Sequence, residues 1–258
     1  MTQASETGAS AAELQTTLRL QHADRLPAWL WLWMPLALAV ALSFISQFQS
    51  RFYQAYFVGE LGIVESLQVI ILLAALAFCV RILRFAEVRH DRLVFAWVIL
   101  ALFGCIYVVG EEASWGQHYF GWLTPEGWQA INDQGETNLH NVSSWLDQKP
   151  RALLEMGVIV GGIVIPLLAL WRPGIREGRF AIFLPPLVCL PVAVVAEFAK
   201  IWERLVSQGL WEVRTFYRAS EVQELYFYLF ILLYLIVFRQ RVLARRTAGL
   251  PARPVAGH

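Results

Sequence analysis

Two pairs of titratable side chains in this chain could do proton chemistry. Glu111 and Glu112 are adjacent at the end of an apolar run, and Glu136 and His140 lie four residues apart in the polar segment that follows. If that segment is helical, Glu136 and His140 share one face. Carboxyl and imidazole groups are common general acids and bases, because a protein can bring their pKa values near neutrality. We therefore expect Glu111, Glu112, Glu136 and His140 to form a catalytic site.

Part of this set could instead bind a metal ion. Glu112, Glu136 and His140 are the candidate ligands, since an imidazole and carboxylates suit Zn, Mn or Fe. A bound divalent metal would activate water for attack. The sequence has no compact ligand motif such as HExxH. Metal-assisted and metal-free chemistry therefore both stay open, and the cofactor is unknown.

Eight further polar side chains are candidates for binding the substrate. They are Glu65, Gln117, Asn132, Gln134, Asn138, Arg214, Arg218 and Glu224. On an extended chain, Gln134 and Asn138 would share a face with Glu136 and His140. The two arginines could orient a phosphate group. Glu224 lies inside an apolar stretch, where a carboxylate costs roughly 2.5–3.5 kcal/mol at the bilayer centre, and this cost indicates a use for it.

Membrane-spanning helices must position these side chains. The chain has 258 residues, of which 57% are hydrophobic and 16% charged, whereas soluble domains carry about 25% charged residues. Six apolar stretches approach or reach the length of about 20 residues that a bilayer requires. They cover residues 28–47, 61–83, 93–111, 152–171, 180–199 and 222–238. We predict an all-α polytopic membrane protein with six transmembrane helices and the lipid bilayer as its partner. The net charge of +1 gives no reason to expect nucleic acid.

Two of the six stretches contain residues that disturb helices. The fifth contains Pro185, Pro186 and Pro191, which should bend or break a helix. The fourth contains Gly157 and Gly161, whose GxxxG spacing permits close contact with a neighbouring helix.

The connection between the third and fourth stretches is rich in aromatic residues. Thr124-Pro125-Glu126 is typical of a helix start, with Thr as the cap and Pro at the first helical position. Aromatic side chains such as Trp122 and Trp128 suit the headgroup region. We expect an amphipathic or re-entrant segment here.

Basic residues indicate the orientation in the membrane. Fourteen of the 21 Lys and Arg residues lie before the first stretch, after the sixth, or in the connections after the second and fourth, when Arg81 at the end of the second stretch is counted with its connection. Under the positive-inside rule these segments, and so both termini, are cytoplasmic. We predict a mobile cytoplasmic tail over 1–27, a six-span membrane domain over 28–240 and a basic cytoplasmic tail over 241–258.

A two-part motif gives the chain a resemblance to other membrane proteins. It reads Glu111-Glu112-x-Ser114-Trp115-Gly116-Gln117, followed by Asn132-x-Gln134-x-Glu136-x-Asn138-Leu139-His140-Asn141. This motif resembles a group of bacterial polytopic inner-membrane proteins, and so does Gly62-Ile63-Val64-Glu65. The resemblance covers mainly residues 59–68 and 110–141. It implies a bacterial inner-membrane location and no particular activity, since none is established for the group.

Three functions are compatible with these features. The favoured one is an integral membrane enzyme that acts on a lipid or lipid-linked substrate at the periplasmic face. The second is an assembly subunit whose aromatic connection docks another membrane protein. The third is an ion-coupled transporter that uses carboxylates as proton or cation sites, although the sequence has no evident internal repeat.

Overall fold

A computed structural model describes residues 22–59, 61–129, 137–138, 144–178 and 180–247. Within these ranges the chain is α-helical and contains no β-strand. Six helices are long and apolar enough to cross a membrane, which confirms the predicted fold class. Five of them are α1 (Trp29–Phe48), α2 (Ile63–Leu83), α3 (Arg92–Glu112), α5 (Leu190–Ser207) and α6 (Ala219–Thr247). The remaining one, α4, runs from Ser144–Val158 through the π-helical Ile159–Val164 to Ile165–Trp171.

Short helices lie in the connections. They are Ser50–Tyr56, Ala86–His90, Gln117–Phe120 and Glu126–Gln129. The last begins at Glu126, one residue after Pro125, where the sequence predicts the first helical position. Most of the chain between it and α4 lies outside the described residues, so a re-entrant segment stays a prediction.

The most buried helix of the bundle is α6. In its apolar part 61% of the residues are buried, against 17% in α1 and α3. α2 and α5 both pack on α6, and α2 also packs on α3. α3 therefore lies at the periphery with one face open to lipid, and α2 connects it to the centre.

Prolines interrupt the start of the fifth span, as predicted. Two 3₁₀ turns, Ala181–Phe183 and Leu187–Cys189, lie on either side of Pro185-Pro186, and the α-helical part begins only at Leu190. The broken segment leaves backbone carbonyls without helical donors. Arg241 of α6 donates to three carbonyls of this segment, those of Ala181, Ile182 and Leu184.

Arg241 also ties the N-terminal segment to the bundle. Its guanidinium group donates to both carboxylate oxygens of Asp24, at 2.6 and 2.9 Å, and only 3% of the residue is exposed. α6 thus continues past residue 240, where the sequence places the end of the membrane domain, and Arg241 is part of the packed structure.

Close helix contact in α4 occurs one residue beyond the predicted glycine pair. A Cβ at Gly157 would meet nothing within 4 Å, whereas a Cβ at Gly162 would collide with Ala193 of α5 and lie 2.9 Å from the ring of Phe230 of α6. Gly161 also faces α6, through Phe230. The contact of α4 with α5 and α6 therefore depends on Gly161 and Gly162.

Candidate functional site

A cavity of about 1040 Å³ lies between α3 and α6, with residues of α2 and α4 in its wall. We call the end of the bundle where α3 ends and α6 begins the rim end. Charged and polar side chains line the cavity at the rim end. Apolar side chains line it from there toward the other end of the bundle.

Five glutamates line the rim end of the cavity. They are Glu65, Glu111, Glu112, Glu221 and Glu224. They come from the start of α2, the end of α3 and the start of α6, so three helix ends meet at one level. Four of the five are residues that the sequence singles out, and the structure brings them to one cavity. The fifth, Glu221, is not among the residues predicted for the site.

Two hydrogen bonds from different elements hold the adjacent carboxylates of α3. The hydroxyl of Tyr228 donates to Glu112 Oε1 at 2.6 Å. The indole Nε1 of Trp115 donates to Glu111 Oε1 at 2.8 Å. Hydrogen bonds to a charged acceptor are worth about 1.5–3 kcal/mol, so both donors help to fix the carboxylates in place.

A left-handed turn after α3 brings Trp115 back toward the helix. Ser114 and Trp115 have φ values of 43° and 54°. Residues other than glycine rarely adopt this left-handed backbone conformation. The returning indole packs on Gly110, where a Cβ would lie 3.0 Å from the ring. Residues held in such conformations cost roughly 1–3 kcal/mol each and cluster at functional sites.

Both arginines of the cavity form ion pairs with its glutamates. Arg151 Nη1 lies 3.2 Å from Glu224 Oε1, and its Nη2 donates to Gln223 at 3.3 Å. Arg218 Nε lies 2.7 Å from Glu221 Oε1. Arg218 also has a positive φ of 53° just before α6 begins. The guanidinium groups are thus already engaged by carboxylates of the protein.

A short piece of the connection between α3 and α4 docks on the turn after α3. The backbone N–H of Thr137 donates to Gln117 Oε1 at 2.8 Å, and its hydroxyl donates to the Ser114 carbonyl at 2.8 Å. The amide of Asn138 donates to Ser114 Oγ at 3.1 Å. Asn138 is fully buried and lines the cavity. Gln117 is absent from the wall and positions this segment instead.

Of the other predicted residues, only Arg214 is among those that the structure describes, and it lies away from the cavity wall. Arg214 is exposed and is not a lining residue, and its carbonyl accepts a hydrogen bond from Gln47. Asn132, Gln134, Glu136 and His140 lie outside the described residues. The catalytic and ligand roles of Glu136 and His140 therefore stay predictions.

No metal centre is evident among the residues that the structure describes. Within them no three His, Cys, Asp or Glu side chains are grouped as metal ligands. Of the candidate ligands, only Glu112 is among the described residues. Metal binding stays a prediction that depends on Glu136 and His140.

The apolar part of the cavity is a groove between two helices. On α3 its wall is formed by Trp97, Leu100, Ala101, Gly104, Cys105 and Val108, a spacing that places them on one helix face. On α6 it is formed by Phe227, Ile231, Tyr234 and Leu235. Fourteen residues separate Trp97 from Glu111, so the groove is roughly 21 Å long at 1.5 Å per residue.

A hydrogen bond between aromatic side chains closes the far end of the groove. Trp97 Nε1 donates to the Tyr234 hydroxyl at 2.8 Å, and that hydroxyl donates to the Phe183 carbonyl at 2.9 Å. The groove is open at its side, however. Leu100 of α3 and Leu153 of α4 both line it and are 65% and 66% exposed. We call this exposed side of the groove, between α3 and α4, the lateral opening; it lies within the apolar part of both spans.

Two buried oxygen atoms at the rim end have no hydrogen-bond partner among the described residues. They are Gln68 Oε1 and Glu221 Oε2. Gln68 is completely buried and its amide nitrogen donates to the Glu221 carbonyl at 2.9 Å. A buried acceptor without a donor costs about 1–3 kcal/mol. Both residues line the cavity, so a bound molecule could supply the donors.

The glutamates also act on tyrosines beyond the spanning helices. Burial and the nearby Glu65 carboxylate raise the pKa of Tyr119, which follows the turn after α3. Burial and the charge of Glu221 raise the pKa of Tyr53 to about 12. The negative field of the site thus extends above the rim end.

Arg151 and Tyr228 line the cavity but are not among the site residues predicted from the sequence. One signal for Tyr228 is its spacing, since it lies four and seven residues after Glu224 and Glu221 and so on the same face of α6. Arg151 follows Pro150 near the start of an apolar stretch, where an ionisable residue is itself a sign of function. Its partner Glu224 is 73 positions away and could not be read from local spacing.

Comparison with protein-family models, curated proteins and solved structures finds no match for this chain. The cavity combines glutamates at one end with an apolar groove behind them and an exposed side between α3 and α4.

Proposed function

We propose that this protein is an integral membrane enzyme that acts on a lipid or lipid-linked substrate at the periplasmic face of a bacterial inner membrane. The observation that supports it best is the cavity, in which five glutamates adjoin an apolar groove with a lateral opening. A lipid could enter sideways, leave its chain in the groove and present its head group to the carboxylates.

In this proposal Glu111 and Glu112 are the acid and the base. The ionised carboxylate of one residue removes a proton from the attacking water or hydroxyl group. The other residue starts as a protonated carboxyl group and gives its proton to the leaving oxygen or nitrogen. Their different donors, an indole and a phenol, give the two carboxyl groups different environments, which is how paired acids acquire separate roles. Glu136 and His140 would complete the site from the connection between α3 and α4.

A divalent metal, if bound, would supply an activated water, with Glu112, Glu136 and His140 as ligands. Among the described residues no ligand group supports it. Metal binding stays a prediction that depends on Glu136 and His140, and the proton transfers proposed here are assigned to the carboxyl groups of Glu111 and Glu112.

Lipid turnover by the purified protein tests this function. The protein would be reconstituted into liposomes of bacterial total lipid, and lipid species would be followed by mass spectrometry. We expect one species to be consumed, and the Glu112→Gln variant to lower its rate by about 100-fold or more. Glu126→Gln, at an exposed glutamate outside the cavity, is the control and should keep the rate. Equal rates for Glu112→Gln and wild type would refute the acid–base role.

An assembly subunit is the second candidate. Phe120 and Leu123 in the connection after α3 are 79% and 90% exposed, and exposed apolar patches mark protein or membrane contacts. A stable partner that copurifies with the protein and is lost in a Phe120→Ser, Leu123→Ser variant would favour this function. The ion-coupled transporter is less supported, because the glutamates of the described cavity wall all lie at the rim end.

A further inference from the structure

The charge of the cavity wall constrains the head group that it can accept. The described wall contains five glutamates and two arginines, so carboxylates exceed guanidinium groups by three. Each arginine is already paired with a glutamate, Arg151 with Glu224 and Arg218 with Glu221. A phosphate would have to displace these pairs and would bring its own negative charge next to the glutamates of the wall, and juxtaposed like charges are unfavourable. The wall therefore disfavours an anionic head group.

The unpartnered atoms indicate what the head group must offer. Gln68 Oε1 and Glu221 Oε2 are acceptors, buried in residues that are 0% and 6% exposed. Both atoms can accept hydrogen bonds from donors on a bound molecule. A primary ammonium group carries three N–H donors, no acceptor and a positive charge. A hydroxyl group offers one donor and no charge, so it would satisfy fewer of these atoms.

The groove limits the apolar part of the ligand. Its walls are the single stripes of α3 and α6, and the Trp97–Tyr234 hydrogen bond ends it roughly 21 Å from Glu111 at 1.5 Å per residue. A single extended chain suits such a groove. The lateral opening beside Gly104, where a Cβ would meet nothing within 4 Å, gives the chain access from the bilayer.

From these observations we propose that the cavity binds a single-chain amphiphile whose head group is a protonated primary amine. The ammonium lies between Gln68 and Glu221, within reach of Glu65, and the chain lies in the groove along Gly104. This inference rests on the proposed function in one respect, that the groove holds a lipid chain.

Binding of three probes with the same chain tests the head group. Dodecylamine, dodecanol and dodecyl phosphate would be titrated calorimetrically, below their micellar concentrations, into the protein held in amphipol. We expect dodecylamine to bind at least about tenfold more tightly than dodecanol, as one charge-assisted contact would give. Dodecyl phosphate should bind most weakly.

Two variants separate the head group from the chain. Glu221→Gln removes a charge near Gln68. It should weaken the binding of dodecylamine by about tenfold and leave the binding of dodecanol unchanged. Gly104→Leu puts a side chain into open space in the groove and should weaken the binding of all three probes by the same factor. Gly157→Leu, which also meets open space but lies outside the cavity wall, is its control.

The results separate the inference about the ammonium head group from the proposal that the groove holds a lipid chain. If dodecanol or dodecyl phosphate binds as tightly as dodecylamine and Gly104→Leu weakens them, the ammonium inference is wrong and the lipid site stands. If Glu221→Gln leaves dodecylamine unchanged, the placement of the head group is wrong. If none of the probes responds to Gly104→Leu, the groove holds no chain and both proposals fail.

Discussion

Glu111 and Glu112 are neighbours in sequence, yet different groups hold them. Trp115 reaches back across the turn after α3 to Glu111, and Tyr228 reaches across the cavity from α6 to Glu112. Loss of either donor would leave a partly buried carboxylate with one hydrogen bond fewer. The individual residues thus indicate a site built to keep two carboxyl groups in distinct and fixed positions.

Tyr53 provides a test of the site's electrostatics at the level of one residue. Burial, followed by the charge of Glu221, raises its pKa from 10.0 to about 12. Below pH 10 both the folded and the unfolded chain hold the proton. Between about pH 10 and 12 only the folded chain holds it, so the free energy of unfolding falls as the pH rises.

The Tyr53→Phe variant should therefore lose part of this alkaline destabilisation. We expect the unfolding temperature to fall less between about pH 9 and pH 11.5 in the variant than in the wild type. Thermal unfolding in detergent at both pH values measures this. Identical slopes would show that Tyr53 titrates normally.

At the level of helices, the site exists because α3 and α6 face each other across a gap. α2 packs against both of them and helps to hold them apart at the cavity. α4 closes part of the remaining side, and its own position depends on close contact with α5 and α6 at Gly161 and Gly162. The lateral opening is thus set by where α4 packs.

Substitution of two glycines in α4 tests this packing. Gly162→Ala would force a Cβ against Ala193 and Phe230 and should lower the free energy of unfolding by roughly 1–3 kcal/mol. Gly157→Ala meets no atom within 4 Å and should be neutral or stabilising by up to about 1 kcal/mol. Unfolding curves in one detergent compare the two. Equal effects would mean that α4 does not approach α5 at Gly162.

On the scale of the whole molecule, six spans put the three glutamate-bearing helix ends on the same side. The C-terminal end of α3 and the starts of α2 and α6 lie at the rim end. The connections that carry most of the basic residues lie at the opposite end. The positive-inside rule therefore predicts a rim end that faces away from the cytoplasm.

Labelling of introduced cysteines tests this orientation. The three native cysteines, Cys79, Cys105 and Cys189, are buried, so their background should be low. A membrane-impermeant maleimide added to intact spheroplasts should label a Glu126→Cys variant. A His90→Cys variant, in the connection between α2 and α3, should be labelled only after permeabilisation. The reverse pattern would place the cavity at the cytoplasmic face and rule out a periplasmic substrate.

Composition and hydropathy alone determine the membrane class and the number of helices. A run of about 20 apolar residues has few alternatives to a spanning helix, because the bilayer leaves no water to satisfy an irregular backbone. The proline breaks of the fifth span follow from the chemistry of the residue itself. Carboxylates near span ends are informative because placing a charged group close to the hydrocarbon layer costs free energy. A chain that keeps several of them is therefore expected to use them.

Only the tertiary structure decided which of those carboxylates share a cavity. Glu155 pairs with Lys200 between α4 and α5 and lies outside the cavity wall, whereas Glu221 lines it. In the sequence both lie at or near the start of an apolar stretch, 152–171 for Glu155 and 222–238 for Glu221, and this position does not show which of them lines the cavity. Partners such as Arg151 and Glu224, or Tyr228 and Glu112, depend on the rotation and packing of whole helices. Helix packing sums many weak contacts along the chain, so the side chains that meet at one point cannot be read from the spacing of a few residues.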